Sequence, residues 1–182
     1  MPFAYYDRLS PDRQRTYRKS DAIREVPLPD AAALVPLAAA VEPALATQDP
    51  RRVRGACQAL VDAMNAQLAT PPVRMRVLER RPSDAGGELH GLYEPEDEGK
   101  PARVSVWMRT AARDEVVKYR TFLRTVLHEM CHHFDYEHFR LAETFHTQGF
   151  YARESALLTA LAGPAPAKGA SAPRSPRASS GS

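Results

Sequence analysis

Two cysteines, Cys57 and Cys131, are all that the 182 residues contain. That is too few for a disulfide framework or a four-cysteine zinc ribbon. No stretch approaches eighteen apolar residues, so no membrane span is expected. The opening Met1-Pro2-Phe3-Ala4-Tyr5-Tyr6 lacks the basic-then-apolar layout of a signal peptide, which makes a cytoplasmic address the expectation. A phosphate-binding Gly-Lys-Ser loop, a dinucleotide fingerprint and a nucleophile elbow are also missing, so nothing flags a nucleotide site or a serine hydrolase. The last nineteen residues hold no acid but carry Lys168, Arg174 and Arg177. The formal charge of +3 therefore belongs to this tail, and residues 1–163 sum to zero. Three basic groups amount to weak nucleic-acid contact and no more.

What remains is an ordinary globular composition, 43% hydrophobic and 26% charged, sized for one domain. Ser10-Pro11-Asp12 reads as a helix start, a capping serine followed by proline and an acid. Arg13, Arg15, Arg18 and Lys19 give that helix a basic face, read as solvated because Asp7, Asp12, Asp21 and Glu25 are interspersed. Ala31 to Ala46 is helix-prone, with breaks expected at Pro36 and Pro43. From Asp49 to Leu68, Val53, Cys57, Leu60, Val61, Met64 and Leu68 predict an amphipathic helix. Three strands are predicted next, around Val73–Val77, Leu89–Tyr93 after an Asp84–Gly87 turn, and Val104–Met108. A final helix carries Leu157, Leu158 and Leu161, and the Pro/Ala/Ser/Gly composition from Pro164 onward predicts disorder.

The chemistry sits between the strands and that last helix. Leu127-His128-Glu129-Met130-Cys131-His132-His133-Phe134-Asp135 contains a His-Glu-x-x-His run. On a helix, His128 and His132 lie one above the other and can aim at one metal ion, while Glu129 reaches a water on that ion. Val116, Tyr119, Leu123, Val126, Met130 and Phe134 form a separate apolar stripe, and Thr110 or Asp114 is available to cap the helix. Cys131 occupies a spacer position and is read as a small buried hydrophobe. A catalytic zinc needs a third ligand. His138, Glu143, Glu154 and His146 are the candidates. His146 is favoured, because it falls near a helix start with Phe150 one turn on to pack against it. Asp135 is either an acceptor for a ligand ring or a surface acid.

This order of motifs resembles the SprT-like zinc metalloprotease family. The resemblance runs through Leu60-Val61-Asp62-Ala63-Met64-Asn65 on a first helix, Gly91-Leu92-Tyr93 and Val104-Ser105-Val106 on strands, and Leu127 to His132 on the metal helix. His146-Thr147-Gln148-Gly149-Phe150 keeps the His and Phe of the family's His-Gly-x-x-Phe, with Thr147 at the glycine position. The resemblance implies an α+β, zincin-like small domain over 51–163, with about three strands packed on the metal helix. A helical extension over 1–50 and a disordered basic tail over 164–182 flank it. It further implies Zn²⁺ on His128, His132 and His146, Glu129 as general base and acid, and a protein or peptide substrate. The strand near Val104–Met108 is the expected sheet edge for an extended peptide. Tyr151, Tyr136 and Arg153 are the candidate oxyanion donors. The rival readings are a non-catalytic zinc-binding module and a nucleic-acid-associated protein.

Overall fold

A computed structural model describes residues 3–84 and 87–164, so the tail from 165 and the Ala85-Gly86 tip of the expected turn lie outside the described residues. The described elements are a short turn of helix at Tyr6–Arg8, then α1 (Pro11–Ala22), α2 (Ala31–Ala46), α3 (Pro50–Leu68), β1 (Arg74–Arg80), β2 (Ser83–Asp84), β3 (Gly87–Glu88), β4 (Gly91–Glu94), β5 (Arg103–Arg109), α4 (Tyr119–Glu137) and α5 (Gln148–Ala162). Among the described residues this is an α+β architecture of five α-helices with a small three-stranded mixed sheet. No helix there is long and apolar enough to cross a membrane.

The helix starts follow capping chemistry. Ser10 Oγ accepts from the Arg13 N–H at 3.4 Å, and an Asp49 carboxylate oxygen accepts from the Arg51 N–H at 2.8 Å. The basic face of α1 is engaged by its neighbours: Arg13 pairs with Glu143, Arg15 with Asp12, and Arg18 with the Tyr6 hydroxyl. The whole apolar stripe of α3 is buried.

Two expectations about helices are corrected. Pro36 and Pro43 do not break α2, which runs unbroken through both. Each proline removes one backbone donor, but both prolines and the Ala32 and Ala39 carbonyls they free are on the exposed side, where water replaces the lost bond. Leu34, Ala38, Val41 and Leu45 on the opposite face are buried and hold the helix in the core. Neither Thr110 nor Asp114 caps α4, which begins later, at Tyr119, with no side-chain cap. Thr110 and Glu115 bond to each other in a turn preceding it, and Asp114 takes a left-handed conformation there, φ +53°.

The sheet order is β1-β5-β4, with β1 parallel and β4 antiparallel to β5. The strand at Val104–Met108 is therefore the centre of the sheet and not its edge. Sequence alternation pointed Ser105 and Trp107 outward, yet Val104, Ser105, Val106, Trp107 and Met108 are all buried. A strand covered on both faces and bonded on both sides has no free backbone to offer a peptide. The edges are β1 and the short β4. Gln58 of α3 docks β1 by accepting from the Met75 N–H and donating to the Val73 carbonyl. One core joins α2, α3, the sheet, α4 and α5. The Tyr119 hydroxyl donates to the Ala38 carbonyl and ties α4 to α2.

Candidate metal centre

His128 and His132 stand on one face of α4, and the loop after α4 returns His146 over that face, one residue before the Thr147 cap of α5. Their ring nitrogens converge. His146 Nε2 lies 3.0 Å from His128 Nε2 and 3.1 Å from His132 Nε2. Three nitrogens bound tetrahedrally to one ion at about 2.0–2.1 Å stand roughly 3.3 Å apart, so the spacing fits three ligands of one metal. The three histidines lie close enough together to bind one.

The far side of two rings is already committed. His128 Nδ1 is 2.8 Å from Glu154 Oε2. A carboxylate only accepts, so the ring proton sits on Nδ1 and leaves Nε2 bare. His132 Nδ1 is 2.8 Å from Thr144 Oγ1, which donates its own proton to Asp135 Oδ2 at 2.8 Å. Thr144 must then accept from His132, and that Nε2 is bare as well. Lone pairs meeting at one point repel until a cation joins them. Phe150 packs against all three rings, at centroid distances of 4.9, 4.7 and 5.0 Å. Burial, reinforced by His128, His146 and Arg153, pushes His132 down to about 3. Burial and His128 also hold His146 below its ordinary value, against the pull of Glu154. Neutral imidazoles are the form that binds metal.

The other candidates go elsewhere. His138 caps the end of α4 and packs on Phe139, and Glu143 pairs with Arg13. Glu154 faces His128 from behind, and Cys131 is buried outside the cluster. Asp135 is no surface acid: it is wholly buried and takes a 2.6 Å bond from Arg153. Burial raises its carboxyl to about 6 despite that pairing and the bond from Thr144. His133, next to His132, turns away, with Nε2 3.1 Å from the Pro71 carbonyl and Nδ1 3.2 Å from the Tyr93 hydroxyl.

Glu129 is buried against β4. Burial pushes its carboxyl up to about 7, opposed by the neighbouring His128 ring and a bond from the Tyr93 N–H. A Cβ at Gly91 would stand 2.3 Å from Glu129 Oε1 and 2.8 Å from Thr125 Cγ2, so glycine lets the strand close on the helix with Glu129 in place. Two cavities, of about 290 and 430 Å³, share Gly91, His128 and Glu129 as walls. The first continues past Leu92, Tyr136 and Thr144, the second past Leu89, Arg124 and Thr125. A larger hollow, of about 550 Å³, lies at the 95–101 loop and contains none of the histidines. Its walls include Glu94 and Arg103, which pair with each other.

Of the three oxyanion candidates, Tyr136 lines the smaller cavity and Tyr151 is exposed with its ring 5.8 Å from that of His146. Arg153 is excluded, because it is fully buried and both terminal nitrogens of its guanidinium are spent on Ser20, Ile23 and Asp135. Thr144 escaped sequence reasoning, since its role exists only once the loop folds back. Gly91 carried a usable signal: glycine inside a strand marks close approach of another chain segment. No family model, no curated protein and no solved structure matches the chain.

Proposed function

We propose that this chain is a zinc-dependent metallopeptidase of zincin-like architecture, akin to the SprT-like proteases that its motifs resemble. The observation that carries the reading is the common focus of three imidazole nitrogens beside a buried glutamate that opens onto a cleft. Three imidazole donors suit zinc, with His128, His132 and His146 as its ligands. Bound there, zinc supplies Lewis acidity that acidifies water and polarises a carbonyl. Glu129 takes the proton of the attacking water and delivers it to the leaving amine. Glu154 and Thr144 keep two imidazoles oriented from behind.

The substrate is an extended stretch of protein or peptide. Only one side of β4 is paired, to β5, and its residues border both cavities. A peptide added along β4 is held by main-chain hydrogen bonds, which suits loose sequence specificity. Leu89 and Leu92, both 40% exposed, supply apolar contact along that path.

Elemental analysis of the purified protein should find stoichiometric zinc that His146→Ala loses. Glu129→Gln should keep the zinc and cut unfolded casein at least about 100-fold more slowly. Full zinc in His146→Ala would remove that ligand, and undiminished cleavage by Glu129→Gln would remove the base. Zinc without any cleavage by the wild type would leave a non-catalytic zinc-binding module.

A further inference from the structure

The end of α1 is built into the back of the metal centre. Arg153, on α5, is wholly buried and donates through one terminal nitrogen to the carbonyls of Ser20 and Ile23, at 2.7 and 2.6 Å. Through the other it donates to Ser20 Oγ at 3.2 Å and to Asp135 Oδ1 at 2.6 Å. Asp135 accepts from Thr144, and Thr144 accepts from His132. An unbroken line of hydrogen bonds thus runs from the last carbonyls of α1 to a ring at the metal focus. A second line reaches His146. The Gly149 N–H donates to Asp21 Oδ1 at 2.9 Å, and a Cβ on Gly149 would stand 2.4 Å from the Asp21 carbonyl oxygen and 2.6 Å from that of Ser20. Backbone therefore packs on backbone where α1 meets the first turn of α5. The Thr147 cap of that turn, which bonds the Phe150 N–H at 2.9 Å and lies 3.4 Å from Ser20 Oγ, immediately follows His146.

We propose that α1 is a working part of the metal centre and that Arg153 is a positioning residue carrying its hold to His132, so that loosening α1 from α5 weakens metal binding although no ligand is touched. Asp135 is the pivot. With Arg153 on one oxygen and Thr144 on the other, it cannot turn, and Thr144 is left with only its lone pair to offer His132. Remove the anchor and Asp135 loses the contact that orients it. The His132 ring is then free to rotate or to change the nitrogen that bears its proton. Outer partners of this kind govern metal affinity by about 10–100-fold when removed. The inference rests on the metal-site reading above, and the two can fail separately.

In the full chain, Gly149→Ala drives a methyl group between α5 and α1, Thr144→Val cuts the line to His132, and Thr144→Ser preserves it. Zinc affinity is read by competition with a chromophoric chelator, ring geometry by the visible spectrum of the Co²⁺-loaded protein, and folding by circular dichroism. Gly149→Ala and Thr144→Val should each bind zinc about 10–100-fold more weakly with altered Co²⁺ bands, while Thr144→Ser matches the wild type. Should Gly149→Ala not fold, the double substitution Ser20→Ala, Asp21→Ala removes the side-chain acceptors on α1 and is read in the same way. A wild type that binds no zinc refutes the site itself. Zinc binding by the wild type, with affinity and spectrum unchanged in the α1–α5 variants, refutes the role of α1 alone.

Discussion

Gly91 leaves no space for a methyl group between β4 and the Glu129 carboxylate. Gly91→Ala must therefore displace either the strand or the glutamate. Misplacing a reacting group by about 1 Å can cost on the order of 100-fold in rate. The expected result is zinc content equal to wild type with casein cleavage reduced by about 10–100-fold, and an unchanged rate would detach Gly91 from the chemistry. The same residue-level economy separates His132 from His133. They are neighbours in sequence, but the turn of the helix sends one ring to the metal focus and the other to Pro71 and Tyr93. The His-Glu-x-x-His spacing alone told which histidine belonged with His128. The partners behind them, Thr144 and Glu154, come from the loop and from α5, and spacing along α4 says nothing about either.

At the scale of elements, α2 is the clearest case of packing overriding local preference. Its two internal prolines are exposed, while the opposite face is sealed by Leu34, Ala38, Val41 and Leu45. Restoring a donor at an exposed proline should stabilise the protein, because an interior proline costs a helix up to about 3 kcal/mol and only part of that is offset through the unfolded chain. Pro43→Ala is expected to raise urea-unfolding stability by about 1–2 kcal/mol, and a loss of stability would show that the proline serves the packing. The amphipathic stripe of α3 and the capping residue Ser10 were readable in advance, since they depend on neighbours in sequence. The place of β5 was not. Alternation in a strand is blind to whether one or both of its faces are covered, and here both are.

For the whole molecule, acid acts on the fold through buried groups that titrate in opposite senses. Burial depresses His133 to about 4, so between there and its ordinary 6.5 the folded state holds fewer protons than the unfolded chain. Stability from this group is complete above pH 6.5 and is lost as the pH falls toward 4. Glu129 and Asp135, raised to about 7 and about 6, work the other way: their protonated forms are favoured by the fold, so acid relieves their burial. His133→Gln removes one contributor to the acid-sensitive side of this balance, a side it shares with His132 and His146. In chelator-treated protein it should lose less stability than wild type between pH 6.5 and 4, by roughly 1–3 kcal/mol in urea unfolding. Equal losses would take His133 out of the acid response. Sequence by itself determined where the helices and the three main strands fall, though not the continuity of α2 or the start of α4, and the pairing of His128 with His132, because each rests on a repeat or spacing a few residues long. Tertiary structure decided that β5 is the centre of the sheet and not its edge, that His146, favoured by the sequence over Glu143 and His138, does meet the two helical histidines, and that the end of α1 packs on the start of α5. Those outcomes depend on how the chain closes on itself, over 14 residues between His132 and His146 and over 133 between Ser20 and Arg153, and a repeat a few residues long does not specify such contacts.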